Sequence, residues 1–302
     1  MIVVKKSEKV VTHIVLALGS VVMLYPFVFA VLGTFLSLEE FYSVGFLPLP
    51  TSLDYVFDNF ATLFRRSEIW PAIGMTLART AWYSLIVGLT SVMGGYVFAK
   101  VNFKGKSVAF YLLMSSMMVP GVALLIPQYL MMGRFPLVGG NDLFGRGGSG
   151  LLNNWAVLFV TGCFSAYNIF LLRQSFDGIG NEYKEAAEVD GAGFFQTIFT
   201  IYLPMVKPVL AVIFINLFIG QWNDYLFPMI FLSQKPDLMP IGVVSVRVSN
   251  DYLLGSGSSG LGLVNYPLVM AISIVMMLPP VAVYIAFQKY FVTGLTMGGV
   301  KS

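Results

Sequence analysis

The sequence predicts an all-α, polytopic membrane protein with six transmembrane helices, and three observations carry that expectation. Apolar residues make up 57% of the 302 positions and charged residues 11%, with a mean hydropathy of +0.79. A soluble core of this size would need a more polar shell. Apolar runs long enough for the roughly 20 residues that cross a bilayer recur near residues 11–36, 76–99, 107–131, 154–173, 208–231 and 265–289. Basic residues stand at their ends: Lys9 before the first, Lys100 after the second, Lys106 before the third, Arg173 after the fourth, Lys207 at the fifth and Lys289 closing the sixth.

The first run, Val10 to Leu38, is longer than the apolar region of a secretory signal peptide and is followed by no small-residue cleavage site, so it reads as a retained signal-anchor helix. Pro26, Pro120, Pro127, Pro228, Pro279 and Pro280 fall in or near the runs, where they predict kinks whose freed carbonyls neighbouring helices re-satisfy. The charge asymmetry then orients the bundle. Lys5, Lys6, Lys9, Lys100, Lys104, Lys106, Arg173, Lys184, Lys207, Lys289 and Lys301 fall on the side of the N-terminus, against Arg65, Arg66, Arg134, Arg146, Lys235 and Arg247 on the other. The positive-inside rule therefore puts both termini in the cytoplasm. The segments 37–75, 132–153 and 232–264, rich in Gly, Pro and acidic residues, become external, either as solvated connectors or as contact surfaces.

Several chemistries are excluded. A lone cysteine, Cys163, leaves no disulfide or thiolate metal site, and a lone histidine, His13, cannot build a metal centre or a catalytic triad unaided. Gly105-Lys106-Ser107 ends like a phosphate-binding loop, but Lys100 stands where the motif requires its first glycine. Gly255-x-Gly257-x-x-Gly260 matches the dinucleotide fingerprint in letters only, with no strand before it and no acidic residue about 20 positions on. The chain is expected to be no enzyme, to use no cofactor and to bind no nucleic acid.

One segment is unlike the rest. Asp177, Glu182, Lys184, Glu185, Glu188 and Asp190 crowd into the loop between the fourth and fifth runs, on the cytoplasmic side. Asn181 to Val189 are good helix formers ending in the turn signal Asp190-Gly191. A second helical stretch from Phe194 to Tyr202 stops near Leu203-Pro204. Two short helices at an angle, lying at the membrane surface, follow. Ala186, Ala187 and Ala192 keep that surface thin enough for another protein to approach. Glu185 and Glu188 share a face and can meet basic side chains. Composition alone leaves an ordinary solvated amphipathic helix equally open.

The spacing Glu185-Ala-Ala-x-x-Asp190-Gly191-Ala192, followed by Phe195, Ile198, Leu203-Pro204 and Pro208, resembles the EAA loop of ATP-binding-cassette (ABC) importer permeases. The ending from Gln288 to Ser302 is similar to the tail of the maltose-type carbohydrate permeases. Pro26, Lys100 to Lys106, and Gln221-Trp222-Asn223-Asp224 fit the same subfamily. The resemblance implies a MetI-like permease fold. It implies residues 1–75 as an N-terminal segment, first helix and external loop, 76–292 as the permease core with the EAA loop near 176–208, and 293–302 as a cytoplasmic tail. Glu185, Ala186, Ala187, Asp190, Gly191, Ala192, Leu203 and Pro204 would form the element that docks on a separate ATPase. The implied partners are a homologous second permease subunit, two ABC ATPase subunits, an extracytoplasmic solute-binding protein, the lipid bilayer and a carbohydrate substrate.

Within the apolar runs, Asp224 and Arg79 ask for an explanation, because charges there are costly. Asp224, with Trp222, Asn223, Gln221 and Tyr225, offers the ring and hydrogen-bonding groups that suit a sugar, so Trp222, Asn223 and Asp224 are candidates for the substrate path. Equally, Asp224 can pair with a neighbouring helix and Arg79 can snorkel to the interface. Rival functions are a permease for another solute such as glycerol phosphate, an ion-coupled secondary transporter, and a membrane assembly factor. The secondary transporter needs more intramembrane titratable groups and an internal repeat, neither of which the sequence displays.

Overall fold

A computed structural model describes residues 6–51, 57–254 and 263–298. The glycine-serine run 255–260, with its lookalike fingerprint, and the tail beyond Gly298 lie outside the described residues. Every regular element among the described residues is a helix. The chain divides into two compact units, Met1–Trp70 with Val244–Leu278, and Pro71–Val243 with Pro279–Ser302.

In the first unit, helix Lys6–Gly33 is exposed along its apolar stretch over residues 9–24. Val22 and Met23 are about three-quarters exposed. An apolar surface of this extent belongs against lipid or another subunit. The segment after it is fastened by polar contacts. Ser37 and Glu40 form a capping box on helix Leu38–Ser43, and Asn59 donates both amide hydrogens to the carbonyls of Thr34 and Leu36 at 2.8 and 2.9 Å. Arg66 bridges Glu68 at 2.7 Å and Asp251 at 2.8 Å. Burial pushes the Glu68 carboxyl up, but the hydrogen bond and charge of Arg66 bring it below its ordinary range.

The second unit is built on helix Ile69–Lys100. Its C-terminal half packs through Val92 and Tyr96 against Leu172 and Phe176 of helix Ala166–Asp177, and against Ile198, Tyr202, Val206 and Ile213. Gly95 makes this approach possible. A Cβ there would lie 2.7 Å from Leu172 Cβ and 3.1 Å from the Arg173 backbone nitrogen. Small residues at such crossings let helices associate closely in a membrane.

Among the described residues, three helices are long and apolar enough to cross a membrane, or up to 5 if each of two bent pairs is one span. The three match the first, second and sixth runs expected from the sequence. The others are interrupted. Lys106–Ser116 and Gly121–Gly133 meet at 90°, where Pro120 supplies no N–H and biases its predecessor away from helix. The fourth run breaks between Val157–Val160 and Ala166–Asp177. There Gly162 takes φ +78°, and Ser165 restarts the helix by capping the Asn168 amide. The fifth run opens at Asp224, whose ψ of 113° separates Lys207–Asn223 from Leu226–Phe231.

Candidate functional site

Two places in the second unit carry unusual chemistry. The first is the surface element around helix Glu182–Val189. Its ending is built as the sequence suggested. Gly191 adopts φ +77°, its N–H bonds the Glu188 carbonyl at 3.1 Å, and the Ala192 N–H reaches back to the Ala187 carbonyl at 2.8 Å. These are the paired bonds of a Schellman cap, which needs a residue free of Cβ strain at Gly191. Glu182 and Glu185 occupy the first turn, where the helix dipole favours acids. Lys184 pairs with Glu188 at 3.5 Å.

The element is fixed to the bundle from below. Lys100 donates to the Ile179 carbonyl and to Asn181 Oδ1 at 3.0 Å. Phe194 and Tyr202 meet Tyr96 edge-on at 5.7 and 5.2 Å. The second helical stretch is a π-helical turn over Thr197–Tyr202 that buries Ile198 and Tyr202 completely. Of the residues expected to meet an ATPase, Glu185, Ala186, Asp190 and Gly191 are exposed and Ala192 is half-buried. Ala187 is only 3% exposed and faces the bundle, so its small side chain lets the helix lie close to its support. Leu203 packs against the core and Pro204 is exposed beside it. Exposed Val189, Tyr183 and Phe195 add an apolar rim that the spacing argument did not single out.

The second place is an ion pair inside the helical bundle. Arg79 Nη2 donates to Asp224 Oδ2 at 2.7 Å, with the Arg79 side chain 4% exposed and that of Asp224 23%. Arg79 therefore does not snorkel to the surface. Its guanidinium lies 5.5 Å from the Tyr83 ring centroid and 6.0 Å from that of Phe227. The pair opens on a cavity of about 250 Å3 lined also by Gln128, Ser165 and Gln221. Arg79 Nε and Nη1 and Gln221 Oε1 are buried, with no hydrogen-bond partner among the described residues. Each such group costs about 1–3 kcal/mol when left unsatisfied. Of the three residues expected on a substrate path, Asp224 lines this cavity, whereas Trp222 is buried and stacked on Phe218 and Asn223 is exposed elsewhere. Gln221 stood in the same sequence cluster. Tyr83, Gln128 and Ser165 left no local signal. No group of His, Cys, Asp and Glu suited to a metal occurs among the described residues.

The family model for the binding-protein-dependent transport system inner membrane component matches residues 91–297. The chain belongs to that family. It is 29% identical to a lactose transport system permease protein of Rhizobium radiobacter over 98% of both chains. It is 26% identical to an sn-glycerol-3-phosphate transport system permease protein of Brucella melitensis biotype 1, again over 98% of both. Among solved structures, a bacterial ABC transporter that imports the acidic polysaccharide alginate has a chain that superposes with a TM-score of 0.78. That match has 22% identity and covers 96% of this chain and 100% of the other. It establishes the MetI-like permease fold. Membership makes the chain a membrane transport component of the ABC type rather than an enzyme.

Proposed function

We propose that the chain is one of two permease subunits of an ATP-driven carbohydrate importer. The single observation that supports this best is the capped surface helix Glu182–Val189, an exposed acidic face held rigidly on a packed aromatic base. Such an element transmits force. A separate pair of ABC ATPases closes on ATP, the docked helix of each permease moves with them, and the bundle tilts so that a central path opens alternately to the two sides. Glu185, Ala186, Ala187, Asp190, Gly191, Ala192, Leu203 and Pro204 form the docking element in this reading. A homologous permease completes the pathway. An extracytoplasmic solute-binding protein delivers the solute, as the family's description implies. The permease core spans 76–292, flanked by 1–75 and the tail 293–302.

The topology that goes with this function has six spans and both termini in the cytoplasm. The bent pairs and the broken stretch Val157–Val160 with Ala166–Asp177 serve as the third to fifth spans. Breaks of this kind are tolerated where they meet protein or a polar cavity rather than lipid, and exposed Met118 beside Pro120 leaves that place to the second permease. The sugar-transport names of relatives favour a carbohydrate, and the relative named for sn-glycerol 3-phosphate supports a second reading, a phosphate ester. The test is co-purification. Gly191→Pro cannot adopt φ +77°, and Glu185→Lys inverts the exposed acidic face. Each variant should retain membrane insertion but lose about tenfold of the ATPase that co-purifies with the wild-type permease. Undiminished recovery of the ATPase with both variants overturns the docking assignment.

A further inference from the structure

We propose that the Arg79–Asp224 cavity is a binding site for an uncharged, polyhydroxylated ring of the transported solute. The inference rests on the importer reading and goes further by giving the solute a charge class and this chain a part in recognising it. Three observations carry it. Arg79 spends one donor on Asp224, and Gln128, Ser165 and Gln221 bring further polar side chains to the same cavity. Donors and acceptors around one small cavity complement a hydroxyl array, since each hydroxyl both donates and accepts. The hydroxyl of Ser165 accepts from the Asn168 amide at 3.3 Å, leaving its own hydrogen available at the same wall.

The second observation is charge. The guanidinium is neutralised by a carboxylate at 2.7 Å, and no other Lys or Arg lines the cavity. A phosphate or uronate entering would meet the Asp224 charge with no surplus cation among the lining residues to offset it, and like charges at such short range repel. A site made for an anion would present Arg79 unpaired, as bidentate recognition of carboxylate or phosphate requires. The third observation is shape. The space, about 250 Å3, suits a single sugar ring rather than an oligomer, and the Tyr83 and Phe227 rings beside Arg79 supply apolar walls of the kind that flank small-molecule sites.

The test uses the full importer, both permeases with the ATPases and the solute-binding protein, reconstituted in vesicles. ATP-driven uptake is followed with lactose, raffinose and maltotriose as neutral probes and with sn-glycerol 3-phosphate and a galacturonate trimer as anionic ones. The wild type should carry a neutral probe and no anionic one. Gln221→Leu should raise its KM about tenfold. Asp224→Asn, which unmasks the Arg79 charge, should raise the KM for the neutral probe and give the permease-bound complex a measurable affinity for the galacturonate trimer. An unchanged KM in both variants overturns the site, as does a wild type that carries only anionic probes. Uptake of none of the probes under ATP overturns the importer reading itself. If Asp224→Asn fails to assemble with the second permease, the Gln221→Leu KM alone decides.

Discussion

At the scale of single residues, the Arg79–Asp224 pair separates stability from transport. Removing one partner of a buried ion pair strands the other. Arg79→Met should therefore cost about 2–4 kcal/mol, toward the lower end because the Asp224 side chain keeps 23% of its surface exposed. The double variant Arg79→Met with Asp224→Leu removes both charges and should regain most of that loss, since apolar replacement of a buried pair is often close to neutral. Thermal unfolding of the detergent-solubilised permease measures both. Uptake should stay low in the double variant, because the cavity loses the polar wall that Arg79 and Asp224 form. Recovery of uptake along with stability would mean that the pair is structural glue only. Each charge was visible in the sequence as a costly intramembrane residue, but 145 positions separate them. No local pattern joins two residues so far apart, so the sequence left Asp224 with an unnamed neighbour and sent Arg79 to the interface. The fold alone brings them together.

At the scale of elements, hydropathy located every apolar run and missed where the runs stop being helical. The helix Ile69–Lys100 was legible because nothing interrupts it. The fourth run was not, because an apolar count is blind to Gly162 at φ +78° and to the new N-cap at Ser165. The acidic surface helix was the most legible part of the candidate site. Its turn chemistry is local, and Asp190-Gly191 dictates the cap that the structure contains. Its apolar rim and the burial of Ala187 are tertiary facts that spacing does not encode. Two glycines in one helix turn this distinction into opposite outcomes. A Cβ at Gly95 would sit 2.7 Å from Leu172 Cβ and close to the backbone of Leu172 and Arg173, whereas a Cβ at Gly88 meets nothing within 4 Å in this chain. Gly95→Ala should therefore destabilise the solubilised permease by about 1–3 kcal/mol through overpacking. Gly88→Ala should stabilise it by roughly 0.5–1 kcal/mol through helix propensity. Melting temperatures of the two variants should move apart from the wild type in opposite directions. A gain for Gly95→Ala would show that helix Ala166–Asp177 does not pack where the structure has it.

At the scale of the whole molecule, the proposed mechanism depends on which face of the membrane each loop meets. The acidic helix can follow an ATPase only from the cytoplasm, and a solute-binding protein can engage only loops on the other side. The basic residues predict that assignment on statistical grounds, and exposed residues on the surface helix and on the loop within 132–153 can report it. Val189 is 87% exposed on the surface helix. Leu143 and Phe144, at 66% and 79%, lie at the tip of the glycine-rich loop within 132–153. That tip is shaped by Asp142 Oδ1, which accepts from the Phe144 and Arg146 amides at 2.8 and 2.9 Å. In a Cys163→Ser background, which removes the single native thiol, Leu143→Cys should react with a membrane-impermeant maleimide added to intact spheroplasts. Val189→Cys should react only after the membrane is opened. Because both sites are exposed, a silent thiol in intact cells reports sidedness rather than burial, provided that each labels fully once the membrane is permeabilised. Co-expression with the ATPase should slow the Val189→Cys reaction in opened membranes and leave Leu143→Cys unaffected, since only one of them lies on the proposed docking surface. Labelling of Val189→Cys from outside would invert the topology and remove the surface helix from any ATPase.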